Sequence, residues 1–287
     1  MKIYAAGFAF AALCMLGNPC FSEVDSLLWK IEGNGLNEPS YLYGAIHAVC
    51  MEDLAIGDHL KNALKTSQRL VLEIDISDPG IAMKIALLSR NPSGANLQDR
   101  LEEDDRKLLD DFLYQHYGYG LKQLGALKPF ALMSMILAKL VPCDQPTSYE
   151  AVLTQMALAD SIPVAGLETP EYQVGIFDEI PQDYLLNELV RTARDFESSQ
   201  EEYLQLAAAY RRRDIRQMER LILRSENLGE FKDILFDRRN GEWLPKIENL
   251  IAEGPVFIAV GAGHLLSDKG LIELLREKGY AVEPVEF

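Results

Sequence analysis

The sequence predicts a mixed α/β fold: a largely parallel central sheet flanked by helices and carrying a large helical insertion. Three observations predict it. Short β-type runs alternate with helical ones near both ends of the chain. The middle is dominated by tracts with helical spacing and few β-branched runs. Two distant segments, Tyr41–Asp75 and Val256–Val285, share one plan of strand, Gly-x-x-His, helix and strand, as expected of related βαβ-type units.

In chain order, Met1 and Lys2 form a short positive region followed by the apolar run Ile3–Leu16. A membrane-spanning helix needs ~20 apolar residues, and this run stops short of that. Gly17, Asn18 and Pro19 break it, and Cys20-Phe21-Ser22 sets small residues before a cut at Glu23. Residues 1–22 thus read as a cleaved secretion signal, and 23–287 as a single exported domain, periplasmic in a Gram-negative source.

Leu27–Ile31 and Tyr41–Ile46 are expected strands around the turn Gly33-Asn34-Gly35. Asp53–Lys65 has helical spacing through Leu54, Leu60 and Leu64, and Arg69–Asp75 is a dense β-type run. Pro163–Leu167, Pro255–Val260 and Tyr280–Val285 are the remaining strands. Thr169-Pro170-Glu171 supplies an N-cap, a first-position proline and an acidic first turn. Ser267-Asp268 is expected to do the same for a last helix that ends at Gly279. Leu101–His116, Pro129–Leu140, Tyr149–Ala159 and most of Gln182–Leu250 read as helix, which puts helical insertions around residues 80–160 and 180–250.

Composition narrows the function. The 28 Lys and Arg against 44 Asp and Glu give a net charge of −16, and removing Lys2 with the leader deepens it by one. Such a surface repels phosphate backbones and anionic membranes, so no nucleic acid is expected, and because no stretch after the leader is long and apolar enough to span a bilayer, neither is stable membrane insertion. Hydrophobic content of 48% and aromatic content of 9% belong to a folded globular chain. Beyond the leader only Cys50 and Cys143 remain, an even pair that in an oxidising compartment reads as a disulfide. The rival reading is a thiolate near His47 acting as metal ligand or nucleophile.

The chemistry-bearing residues gather at strand ends. His47 and His264 each follow a predicted strand, three residues beyond a glycine. Glu73 lies near the end of a third strand, and Glu168 directly follows a fourth. Parallel strands would bring all four to one sheet edge, where open α/β proteins place their sites. Two imidazoles and a carboxylate suit a divalent ion, with a further acid to move a proton. Each residue also has a plainer reading. A histidine at a strand end is more often a satisfied polar group, Glu73 within an apolar run needs a basic partner, and Glu168 could favour the start of the helix at Thr169.

The chain resembles the TraB/PrgY/GumN family through Gly44-Ala45-Ile46-His47, Leu72-Glu73-Ile74-Asp75, Gly166-Leu167-Glu168-Thr169 with Gln173, Arg239-Asn240, and Val260-Gly261-Ala262-Gly263-His264-Leu265. The opening Leu28-Trp29-Lys30-Ile31 and Pro39-Ser40-Tyr41-Leu42 resemble its exported bacterial members. That family is similar to the metal-dependent Tiki proteases and, more distantly, to erythromycin esterases and haem-binding ChaN proteins. The resemblance implies a mixed α/β core and a site containing His47, Glu73 and His264, with Glu168 and Arg239 at other motif positions. Ala45 stands where the family usually has Thr, which removes a hydroxyl near the site.

These readings combine into an exported metal-dependent hydrolase acting on peptides or proteins. His47, His264 and Glu168 are assigned to a divalent ion (Mn, Co or Zn), Glu73 to the general base, Arg239 to an oxyanion and Asn240 to the substrate backbone; Glu73 and Glu168 can exchange roles. Two other functions stay open: a non-catalytic binding protein for a peptide, haem or metal, and a metal-independent esterase. Gly261-Ala262-Gly263 superficially suits a dinucleotide turn, but Leu266 occupies the third glycine position. Arg212, Arg216, Arg220 and Arg224 recur every four residues and are expected to line one solvated or acid-paired helix face. His59 lies on an expected helix and His116 near a helix end, and both are set aside.

Overall fold

The computed structural model describes residues 26–224 and 230–285. The expected leader, with Cys14 and Cys20, lies outside them, as do residues 225–229 of the long helical tract. The strands are β1 (Leu28–Glu32), β2 (Ser40–Ala45), β3 (Val49–Cys50), β4 (Arg69–Leu72), β5 (Pro146–Thr147), β6 (Val164–Gly166), β7 (Val256–Gly261) and β8 (Ala281–Pro284). Six form one sheet in the order β6-β4-β7-β2-β1-β8. In it β6, β4, β7 and β2 run parallel, and β1 is antiparallel to both β2 and β8. The strands β3 and β5 form a separate two-stranded ladder.

Sequence pattern explains the placement. β7 is buried at all six positions, consistent with its near-continuous apolar run and its place between two parallel neighbours. The β1–β2 connection needs the left-handed region at three successive residues, Gly33, Asn34 and Gly35, and Leu36 N–H closes it onto the Gly33 carbonyl.

The helices are α1 (Asp58–Lys65), α2 (Ile81–Leu88), α3 (Glu103–Tyr117), α4 (Leu121–Leu124), α5 (Pro129–Leu140) and α6 (Tyr149–Ala159). They continue as α7 (Pro170–Asp178), α8 (Gln182–Arg194), α9 (Phe196–Arg211), α10 (Ile215–Arg224), α11 (Arg238–Glu253) and α12 (Leu271–Glu277). Helices α1, α6, α11 and α12 bury Leu60, Leu64, Leu153, Trp243, Ile247 and Leu275 in the same apolar cluster as the sheet. A second cluster, including Leu109, Leu113, Leu132, Ile136 and Leu189, joins α3, α5 and α8 away from the sheet. The mixed, mostly parallel α/β architecture is therefore the one expected.

Several local expectations are corrected. The strand from Arg69 ends at Leu72, three residues earlier than expected: the Glu73 carbonyl still accepts from Glu168 N–H, while on the β7 side the Glu73 carboxylate takes Gly261 N–H. Ser267-Asp268 does not cap the last helix: α12 starts after Gly270, and Ser267 has a positive φ of 74°. Thr169 does cap α7, its hydroxyl accepting from Tyr172 N–H. The arginine row is broken, since Arg212 caps α9 and only Arg216, Arg220 and Arg224 lie on α10. The two similar plans also differ in reach. The β2–α1–β4 crossover passes one strand, whereas β7–α12–β8 passes two.

Candidate functional site

The four adjacent parallel strands end at one edge, and that edge carries the histidines and glutamates. In the β2–β7 register, Gly44 faces Val260 and Ala45 faces Gly261, so the two Gly-x-x-His turns leave the sheet side by side. Each motif's first glycine makes room for the other motif. A Cβ on Gly261 would lie 2.6 Å from His47 Nε2. A Cβ on Gly44 would lie 3.0 Å from Leu265 Cδ2 and 3.2 Å from Ala262 Cα. Beneath the first turn, Tyr210 donates its hydroxyl to the Gly44 carbonyl at 3.0 Å and meets Tyr43 Oη at 2.8 Å.

Glu73 is central. Its Oε1 accepts from Gly261 N–H at 2.8 Å and lies 3.9 Å from His47 Nε2 and 3.8 Å from His264 Nε2. Its Oε2 accepts from Arg239 Nη2 at 2.6 Å and from Gln173 Nε2 at 3.1 Å. Burial would raise its pKa, but the two imidazoles, the Arg239 charge and the Gly261 N–H outweigh it and lower the carboxyl to about 2.

Arg239 ties the acids together. Nη2 also donates to Glu168 Oε1 at 2.6 Å, Nε to Glu168 Oε2 at 3.2 Å, and Nη1 to the Leu235 carbonyl at 2.9 Å and to His264 Nε2 at 3.0 Å. A guanidinium has five N–H groups, and all five are engaged. Leu235 lies in a π-helical turn, Asp233–Asp237, that feeds directly into α11 and turns this carbonyl toward Arg239. Glu168 receives a further bond from Trp243 Nε1 at 3.0 Å. Burial, reinforced by the nearby charge of Glu73, still raises the Glu168 carboxyl above its ordinary value despite Arg239 and Trp243.

The two histidines are held differently. His264 is 2% exposed, with its ring against Trp243 and edge-on to Phe236. Its Nδ1 meets Asn240 Oδ1 at 2.7 Å. Asn240 Nδ2 donates to the His264 and Lys269 carbonyls, so Oδ1 is the acceptor and the network assigns the imidazole proton to Nδ1. Burial above all, then the Arg239 charge, lowers this histidine to about 3 against the pull of Glu73. His47, by contrast, has a side chain 63% exposed, with Nδ1 2.7 Å from Glu150 Oε1. Desolvation opposes its protonation, but Glu150 and then Glu73 prevail and raise it to about 9.

Every residue singled out from the sequence at this edge is present, with three differences in surroundings. Asn240 is 1% exposed and spends its amide on His264 and Lys269, so it orients the histidine where a substrate contact was expected. Arg239 has no spare donor for an oxyanion, and Glu168 has both oxygens bonded. Cys50 and Cys143 are joined in a disulfide with Cα atoms 6.0 Å apart, so neither is a thiolate. Glu150 and Trp243 were not anticipated. Glu150 lies 103 residues from His47 in a helix with no motif around it, and Trp243 gave no cue beyond being one of two tryptophans.

As the side chains stand, no three of the described His, Cys, Asp and Glu residues close around a common ion position. The donor chemistry nevertheless fits a divalent ion. Both imidazoles turn Nε2 toward one carboxylate oxygen, and each has Nδ1 held by an oxygen, the arrangement that fixes a ligating ring's tautomer and direction.

A model of the TraB/PrgY/gumN family matches residues 27–284. The chain belongs to this family. It is similar to Metalloprotease TIKI2 of Danio rerio, 22% identical over 319 residues that cover 91% of this chain and 61% of that protein. It is also similar to Metalloprotease TIKI1 of Danio rerio, 24% identical with 91% and 63% covered. Over 88 residues it is 35% identical to human Metalloprotease TIKI1, covering 30% of this chain and 17% of that protein. The chain thus spans about three fifths of the length of the fish relatives it matches. No solved structure matches it.

Proposed function

We propose that the protein is an exported metal-dependent hydrolase of peptides or proteins, with His47, His264 and Glu73 as the residues that hold a divalent ion. One observation carries the reading: imidazoles from opposite ends of the chain face a single oxygen of an ionised carboxylate. The metalloprotease relatives support the reaction class and a peptide-like substrate. The disulfide and the absence, among the described residues, of a helix long and apolar enough to cross a membrane are compatible with export.

The geometry favours exchanging the two glutamates' expected roles. Glu168 is spent on Arg239 and Trp243, while Glu73 Oε1 faces both rings. When bound, a divalent ion supplies Lewis acidity, acidifying water and polarising a carbonyl. The chain's own part is positional. Arg239 fixes Glu73 from behind, Asn240 keeps the His264 proton on Nδ1, and buried Trp243 and half-buried Phe236 pack against that ring. The exposed His47 is the face of the site open to a substrate. Glu168, with both oxygens bonded to Arg239 and Trp243, holds the guanidinium that fixes Glu73.

One observation favours a metal-independent reading instead: Arg239 Nη1 already donates to His264 Nε2, the atom an ion would need. Elemental analysis of the purified oxidised protein, then mixed-peptide cleavage with Mn, Co or Zn with and without a chelator, separates the readings. Cleavage that requires metal and is lost in His47→Ala supports the proposal. Cleavage that survives the chelator selects the metal-independent site, and bound metal without cleavage a binding protein.

A further inference from the structure

We propose that Glu150 is a positioning residue for His47, carried into reach by the disulfide-stapled ladder of β3 and β5. It rests on the metal-site reading above and concerns how the exposed half of that site is held.

His47 needs such help, because its side chain is 63% exposed and lacks the aromatic enclosure that Trp243 and Phe236 give His264. Its short polar contact is Glu150 Oε1 at 2.7 Å, and this directs the opposite nitrogen toward Glu73. The other Glu150 oxygen, Oε2, is buried with no hydrogen-bond partner. Leaving a buried carboxylate oxygen unsatisfied is costly, so this side chain is poorly explained as structural filler.

The backbone shows how the pair is brought together. His47 lies two residues before β3, and Glu150 three residues after β5. The ladder between them has only two residue pairs, Val49 with Thr147 and Cys50 with Pro146. So short a ladder is marginal alone. The Cys50–Cys143 disulfide, spanning 93 residues, ties the two strands beside it. On the Glu150 side, Ser148 caps α6 by accepting from Ala151 N–H, and buried Tyr149 accepts from Ala55 N–H, which fixes the first turn of α6.

The test uses the full-length oxidised protein. Side-chain relaxation of the His47 ring in the metal-free state reads positioning directly. The order parameter is expected to fall from near-rigid in wild type to below ~0.6 in Glu150→Ala. Cobalt(II) titration followed by absorption should show affinity weakened by roughly 10–100-fold in the same variant. Glu150→Gln, which keeps the shape and an acceptor oxygen, is expected to lose only a few-fold; if Glu150→Ala does not fold, Glu150→Leu, which keeps the bulk without an acceptor, decides the matter, and wild-type affinity and ring order in it would refute the proposal. Paired Cys50→Ser and Cys143→Ser substitutions should also lower ring order while far-UV circular dichroism is retained; unchanged order removes the staple from the proposal. A His47 ring that keeps its order in Glu150→Ala overturns the proposal whatever the cation result. A wild-type protein that takes up no cobalt overturns the metal-site reading instead, and ring order still decides the role of Glu150.

Discussion

The two Gly-x-x-His motifs leave neighbouring strands in the same direction, yet their histidines end in opposite environments. His264 is enclosed by Trp243, Phe236, Asn240 and Arg239, whereas His47 stands mostly in solvent with Glu150 at its back. The flanking structure makes the difference. After β7 the chain turns under α11, whose Arg239, Asn240 and Trp243 all reach His264. After β2 it runs outward to the small β3–β5 ladder. A shared motif therefore sets where each imidazole starts, and the surrounding elements set its charge: one ring is held near 3 and the other near 9.

That contrast can be broken from either side. The largest effect should come from Arg239→Ala, which strands Glu73 and Glu168 in a buried site without their cation. A loss of roughly 3–5 kcal/mol in urea unfolding is expected, and a change under about 1 kcal/mol would mean the acids neutralise each other by sharing a proton. Next comes Gly44→Ala, whose Cβ would press on the Ala262 backbone. It should cost about 1–3 kcal/mol as an overpacked contact. Gly261→Ala meets the tip of an exposed histidine instead, so it should spare the fold while weakening cobalt binding; equal destabilisation by both glycine variants would erase the asymmetry.

Asn240→Ala removes the acceptor of the buried ring, and its thermal midpoint should report a loss of about 1–3 kcal/mol. His47→Ala leaves the Glu150 carboxylate without its short partner and should cost about 1 kcal/mol, together with complete loss of metal-dependent cleavage. Cleavage at the wild-type rate in that variant would remove His47 from the site.

Much of this was legible in the sequence for a physical reason. His47, Glu73, Glu168 and His264 could each be read as strand-end residues, and parallel strands in one sheet align their C-terminal ends; that the four strands are parallel neighbours came only with the structure. Helices such as Pro129–Leu140 and Tyr149–Ala159 were readable to the residue because their apolar spacing is regular and their starts are marked by proline or serine. Partners across the site were not legible. Glu150 reaches His47 only through a two-pair ladder too short to register as strands, and the saturation of Arg239 depends on a carbonyl in a π-helical turn that no side chain advertises. Ser267 misled for the opposite reason: it has the chemistry of a cap, but its backbone is left-handed and the helix waits for Gly270.

The insertion of β7 between β4 and β2 has a consequence for synthesis. A ribosome releases His47, Glu73 and Glu168 long before residues 256–264 emerge, and until then the sheet has a gap where its central strand belongs. Pairing across so long a separation is slow relative to local helix formation. Whatever the two imidazoles do together, a growing polypeptide lacks the means to do it until residues 256–264 have emerged and paired.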